Sequence, residues 1–221
     1  MTATVPLDRR APRATTLRDE WRFFRGHVNP RIQATALAVT LTARLAVGDW
    51  GAGDAIVAAA MLAAQPFFEW TFHVYVLHYR PITVFGRTID FELARKHREH
   101  HADPTDVALI FVPLRSMLIA MGVSTVVAFV ALPTLQASLT ALALGSALLL
   151  AYEWSHYLVH SRYRPKTRLF KAICRAHRLH HYKNEQYWFG VTNHTADRVL
   201  RTYPDAGDVP TSPTARDLGA R

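Results

Sequence analysis

Ten of the chain's twelve histidines form two matching sets, each a spaced pair at the end of an apolar run followed by an HxxHH triplet. The first set is His73-Val-Tyr-Val-Leu-His78, then His97-Arg-Glu-His100-His101. The second is His156-Tyr-Leu-Val-His160, then His177-Arg-Leu-His180-His181. Only His27 and His194 lie outside these boxes. A pair at i, i+4 shares one face of a helix, and so does a triplet at i, i+3, i+4. Any fold for this chain must therefore carry the four boxes to one end of its apolar helices. Ten imidazoles are too many for one metal ion and suit two.

The apolar runs set the class. Half of the residues are hydrophobic and only 19% are charged, and the apolar ones gather in long blocks. Such blocks indicate a membrane protein. Four spans are expected, at 32–47, 55–72, 107–132 and 135–154. The first is short against the roughly 17–25 residues a crossing needs. Arg44 near its end is expected to snorkel to the interface. Gln65-Pro66 is expected to kink the second span. A helix is expected over 90–101. Residues 1–30 read as a basic N-terminal arm, without the pattern of a cleavable signal peptide. Residues 17–25 read either as a solvated tail or as an amphipathic segment resting Trp21, Phe23 and Phe24 on the membrane. Residues 31–201 form the membrane domain. Residues 202–221, rich in Pro, Gly, Asp and Thr, read as a disordered tail.

Charge gives the orientation. The turns at 48–54 and 133–134 hold no Lys or Arg, whereas the N-terminal arm, the 79–106 loop and the C-terminal region hold nearly all of them. The positive-inside rule then puts both termini and all four histidine boxes on the cytoplasmic side. The same rule accounts for the net charge of +9 without nucleic acid, for which no motif is present. The single cysteine, Cys174, excludes an internal disulfide framework and any cysteine-rich metal site. The expected architecture is an all-α membrane protein: four transmembrane helices with a cytoplasmic helical cap holding a histidine-rich dimetal site.

Neutral imidazole suits iron, zinc and copper. His97-Arg98-Glu99-His100 has the wrong spacing for a zinc metalloprotease. Bis-histidine haem would leave most of the histidines unexplained. A metal transporter would hold its ligands near the bilayer midplane. A nitrogen-rich dimetal site beside a bilayer points to O2 activation for oxidation of a lipid. Glu69 and Glu153, just before the histidine pairs, are candidates for orienting ligand imidazoles, or else for interfacial carboxylates paired with basic loops. Tyr157, Tyr187, Trp188 and Phe189 read as an aromatic belt, or as the lining of a lipid entrance.

The order HxxxxH, HxxHH, HxxxH, HxxHH over four spans resembles the fatty acid hydroxylase superfamily, which includes fatty acid 2-hydroxylases and sterol desaturases. The resemblance covers about 55–201 and extends through Lys183-Asn184-Glu185 and Tyr187-Trp-Phe-Gly-Val-Thr192 to Asp197-Arg-Val. It implies two histidine-bound irons, with zinc able to occupy the sites in purified protein, and O2 as co-substrate. It divides the ligands into His73, His78, His97, His101 and His180 for one metal and His100, His156, His160, His177 and His181 for the other. It gives no role to His194. No His-Pro-Gly-Gly haem motif is present. The resemblance therefore implies a separate electron donor, of ferredoxin or cytochrome b5 type with its reductase. The expected activity is hydroxylation, favoured over desaturation, of a fatty acyl chain or sterol. The rivals are a carotenoid ring hydroxylase, which shares an Ala-His-Arg-Leu-His-His-like box at 176–181, and a non-enzymatic membrane metal-binding protein.

Overall fold

A computed structural model describes residues 16–219. The first half of the expected N-terminal arm lies outside the described residues. Helix α1 (Leu17–Phe24) starts at Thr16, whose hydroxyl accepts from the Asp19 amide at 3.2 Å, the usual N-cap arrangement. It does not rest all three of its aromatics on the membrane. Phe24 is fully buried against Ile110, Tyr157 and Leu158, and Phe23 stacks on Tyr157. Trp21 stays half-exposed, edge-on to Trp154.

Four long elements follow. Helix α2 (Val28–Val47) packs along α7 (Leu135–His160), and α3 is Ala52–Phe72. Helix α3 runs through Pro66 without interruption and continues into a π-helical turn at His73–Leu77. A short antiparallel hairpin, β1 (Ile82–Val84) and β2 (Arg87–Ile89), leads into α4 (Glu92–Ala102). Phe85 and Gly86 at its tip both have positive φ, as a tight two-residue hairpin turn demands. The fold is thus helical apart from this hairpin, which the sequence reading missed. Next come α5 (Val107–Ile110), α6 (Leu114–Ala131) and α7 (Leu135–His160), and then α8 (Arg168–Tyr182) and α9 (Thr195–Val199).

Three segments are long and apolar enough to cross a membrane: Ala52–Leu77, Val107–Ala131 and Leu135–His160. Helix α2 has the length, at 20 residues, but carries Arg31, Gln33 and Arg44 along it. Arg44 does not snorkel. It is 1% exposed, donates to both oxygens of Asp54 at 2.9 and 2.7 Å, and lies over the Trp50 ring. This ion pair, shared with Thr140 of α7, ties α2, α3 and α7 together at the end remote from the histidines.

The expected third span is broken. Pro113 lacks an amide proton, and the chain leaves helical geometry at Phe111 before α6 begins at Leu114. Groups freed by the break find partners on other helices. The Val112 amide donates to Glu153 at 3.1 Å, and the Val112 carbonyl accepts from Asn29 at 2.7 Å.

Over residues 202–219 the expectation of a disordered tail does not hold. Val209, Ala215 and Leu218 are buried, and the Ser212 amide donates to the Lys183 carbonyl at 2.7 Å. Composition alone reads such a segment as loop. A few well-placed apolar residues and backbone hydrogen bonds to the cap are enough to order it.

Candidate metal centre

The histidine boxes meet at one end of the long helices in two groups of five. His73, His78, His97, His101 and His180 each offer a ring nitrogen within 4.8 Å of the others. His100, His156, His160, His177 and His181 do the same. The grouping coincides with the division that the family resemblance implies. Each triplet is shared. Helix α4 sends its i, i+4 pair, His97 and His101, to the first group and His100 to the second. Helix α8 does the reverse, with His177 and His181 in the second group and His180 in the first.

The first pair needed a device that spacing alone does not suggest. In a regular α-helix, residues five apart point about 140° away from each other. The π-helical turn closes an i→i+5 bond, from the His78 amide to the His73 carbonyl at 3.1 Å. It thereby brings the His73 and His78 rings to 4.9 Å. Such turns recur at functional sites.

Backbone carbonyls set the tautomers. A carbonyl oxygen only accepts, so the ring nitrogen facing it must carry the proton. His73 Nδ1 donates to Phe189 at 2.7 Å, His180 Nδ1 to Tyr187 at 2.8 Å, and His101 Nδ1 to Ala215 at 2.8 Å. In the second group His156 Nδ1 donates to Ile110 at 2.9 Å, using a carbonyl left free by the Pro113 break. Each of these four rings then presents a bare Nε2 to its group. His101 Nε2 and His156 Nε2 have no partner in the protein. The other Nε2 atoms crowd together: His73 and His97 at 3.2 Å, His78 and His180 at 3.2 Å, His160 at 3.1 Å from His100 and 3.0 Å from His177, and His177 and His181 at 3.0 Å. Metal–nitrogen bonds of about 2.1 Å at right angles would separate neighbouring ligand atoms by about 3.0 Å. Ring nitrogens converging at this spacing, in two groups that are largely buried, fit a metal ion in each.

Electrostatics agrees. Burial, reinforced by the neighbouring imidazoles, holds His78, His97, His100, His177, His180 and His181 well below the usual histidine value. Burial brings His101 down to about 3. These rings are neutral at physiological pH, as ligation requires.

Neither Glu69 nor Glu153 is seen to hydrogen-bond to an imidazole. Glu69 instead gathers the 191–193 loop. It accepts from the Val191 amide, from the Thr192 amide at 2.9 Å and hydroxyl at 2.5 Å, and from Gln65 at 2.7 Å. Glu153 binds Asn29 and the Val112 amide, both at 3.1 Å. Each acts one step back, steadying backbone next to the carbonyls that hold His73 and His156.

The residues that sequence reasoning missed are mostly backbone. Trp188, at φ +58, lets the Tyr187 and Phe189 carbonyls both face histidines. Asp197 anchors this loop, accepting from the Phe189 amide at 3.0 Å and the Gly190 amide at 2.7 Å. Carbonyl groups have no residue-type signature. Only Asp197, in the family-like Asp-Arg-Val run, left a trace in the sequence. Trp188, Phe189 and Tyr157 are buried, so they form no belt, and Phe189 packs on the His73, His78 and His180 rings. Glu99 pairs with Lys96 on the surface. His194 is buried outside both groups, 3.9 Å from Asp197 and against the Tyr203 ring. A cavity of about 300 Å³ reaches His78 and is lined by Trp70, Val74, Arg80, Gln186, Phe189 and Thr202, among others.

Comparisons with known proteins point the same way. Two dihydroceramide fatty acyl 2-hydroxylases of Arabidopsis thaliana are similar to this chain. FAH2 is 25% identical over 67% of this chain and 61% of its own length. FAH1 is 26% identical over 62% of this chain and 56% of its own. The chain thus spans about 60% of the length of these relatives. Among solved structures, full-length Scs7p, of which only the hydroxylase domain is visible, superposes with a TM-score of 0.62 at 22% identity. That likeness, over 82% of this chain and 66% of the other, speaks to fold. The fatty acid hydroxylase profile matches residues 58–202, which hold all ten clustered histidines, and the chain belongs to that family.

Proposed function

We propose that this protein is an integral-membrane, O2-dependent lipid hydroxylase with two irons, one in each histidine group. The observation that carries the reading is the pair of five-imidazole clusters, largely buried, each with its ring nitrogens converging within 4.8 Å. The metals, when bound, supply the O2 activation that side chains cannot perform. The overall reaction is RH + O2 + 2 electrons + 2 protons → ROH + H2O, with the electrons from a separate donor of ferredoxin or cytochrome b5 type.

The chain's own residues do the rest. The Phe189, Tyr187, Ala215 and Ile110 carbonyls hold four rings in one tautomer. Trp70, Val74 and Phe189 give the cavity beside His78 an apolar wall, while Arg80, Gln186 and Thr202 give it a polar one. That mixture suits an acyl lipid whose reacting carbon lies near its polar head. The similarity to dihydroceramide fatty acyl 2-hydroxylases favours such a substrate, and hydroxylation over desaturation. We place the ten histidines and both termini on the cytoplasmic side and let α2 make a fourth crossing. Loop charge supports that topology, and so does the packing of α2 along α7.

Lipid mass spectrometry of cells producing the intact protein or the His180→Ala variant tests the activity. A lipid heavier by one oxygen, present only with the intact protein, is expected. A product lighter by two hydrogens would make the enzyme a desaturase. No product, with iron and reductant supplied and both proteins in the membrane, would refute the reading.

A further inference from the structure

We propose that residues 203–219 are a strap that completes the first histidine group, with the Ala215 carbonyl as positioning group for His101 and Lys183-Asn184-Glu185 as the clamp that holds the strap. The inference rests on the two-metal reading above and goes beyond it.

The clamp is a run of three residues at the end of α8, and each of them grips the strap. Lys183 donates through its ammonium to the Ala206 carbonyl and accepts the Ser212 amide at 2.7 Å. Asn184 donates to the Pro210 carbonyl at 3.2 Å. Glu185, 3% exposed, accepts from the Thr214 hydroxyl at 2.6 Å. None of the three side chains bonds to a histidine, so ligation does not account for them. What they hold is the strap.

Past the clamp, the chain makes one tight turn, with the Leu218 amide donating to the Thr214 carbonyl at 2.7 Å. The turn aims the Ala215 carbonyl at His101 Nδ1, 2.8 Å away. Arg216 fixes the other side, donating to the Ala102 carbonyl and lying over the Tyr182 ring. Leu218, 2% exposed, closes the wall of the cavity that reaches His78. The strap therefore bridges α4 and α8, the two helices that contribute to both groups. Only the first group depends on it. Its other carbonyl partners, Phe189 and Tyr187, come from the loop after α8, and the second group's comes from Ile110.

Without Ala215, the His101 Nδ1 proton would lose its acceptor and the ring could take the other tautomer, turning a protonated Nε2 toward the group. Losing such a partner typically weakens a metal site by about 10- to 100-fold. The test is zinc binding by the full-length protein in detergent, measured as ions per chain and by competition with a chelator. The intact protein should hold two zinc ions. The Thr214→Val/Leu218→Asp variant should bind one as before and the other about 10- to 100-fold more weakly. Thr214→Val alone, a milder change, should move the same site in the same direction, and Thr211→Ser, at an exposed position of the strap, should bind as the intact protein does. In a cycle with His101→Ala, releasing the strap should add little further loss, because both changes act on one ligand.

Two ions at unchanged affinity in both strap variants would overturn the strap while leaving the two-metal reading standing. Equal weakening of both sites in a protein that keeps its helical circular dichroism would also overturn it. An intact protein that binds no zinc or iron would overturn the two-metal reading and the strap with it.

Discussion

Gly190→Ala adds one methyl group to the loop behind the first histidine group, and the structure leaves no room for it. A Cβ at Gly190 would lie 1.9 Å from the Asn193 carbonyl oxygen, 2.9 Å from Asp197 Oδ2 and 3.1 Å from the Asn193 carbonyl carbon. Two of these obstacles are backbone, and the third is a carboxylate fixed by the Phe189 and Gly190 amides. To reach an ordinary carbon–oxygen separation of about 3.3 Å, the loop must shift by more than about 1 Å. The Phe189 carbonyl, one residue away, moves with it. A shift of that size would stretch its 2.7 Å bond to His73 beyond useful range. Overpacking costs about 1–3 kcal/mol, and a buried polar group left without a partner costs a similar amount. The melting temperature in detergent should therefore fall by several degrees. One of the two metal sites should weaken by about 10- to 100-fold. Calorimetry and chelator competition on matched preparations measure the two effects. A Gly190→Ala protein that melts within a degree of the parent and keeps both ions would refute the claim that this loop is locked against the site.

Two further outcomes follow from the buried charges. Burial raises Glu20 above the usual carboxyl value against the opposing hydrogen bonds from Tyr157 and Ser161, and Asp19 adds repulsion. A raised folded-state value means that the folded protein holds the proton more tightly than the unfolded chain. The contribution is thus full below the unfolded pKa and is lost as pH rises through the folded one. Glu20→Gln should melt higher than the parent at neutral pH, with the gap closing as pH is lowered; a gap that widens toward acid would reverse the argument. At the opposite end, Arg44→Leu leaves Asp54 without its counter-ion and should melt lower than the double variant Arg44→Leu/Asp54→Leu, since removing one partner strands a charge and removing both does not. A double variant that melts below the single would show that the pair itself stabilises the far end.

Much of the site could be read from spacing. The i, i+4 pairs on α4, α7 and α8 need only helical geometry, and they contribute His97, His101, His156, His160, His177 and His181 to the two groups. Less of its support could be read. His73 and His78 meet through a π-helical turn, which propensity does not reveal. The four tautomer-setting partners are carbonyls of Ile110, Tyr187, Phe189 and Ala215, residues whose side chains say nothing of that task. Glu69 and Glu153 sat at suggestive places, yet they bind amides of the neighbouring backbone. The hairpin at 82–89 and the strap escaped notice for one reason. Short elements held by a few contacts lack the periodicity that identifies a long helix.

The crossed allocation of the two triplets has a consequence for assembly. A helix pinned at a single point can swivel about it; α4 and α8 are each pinned at two, one in either cluster. The first ion to arrive would hold both cap helices against the long ones. The vacant cluster would then find its remaining rings already facing inward. Either cluster, once filled, should therefore keep both cap helices seated, so that a protein weakened at one site still holds its ion at the other.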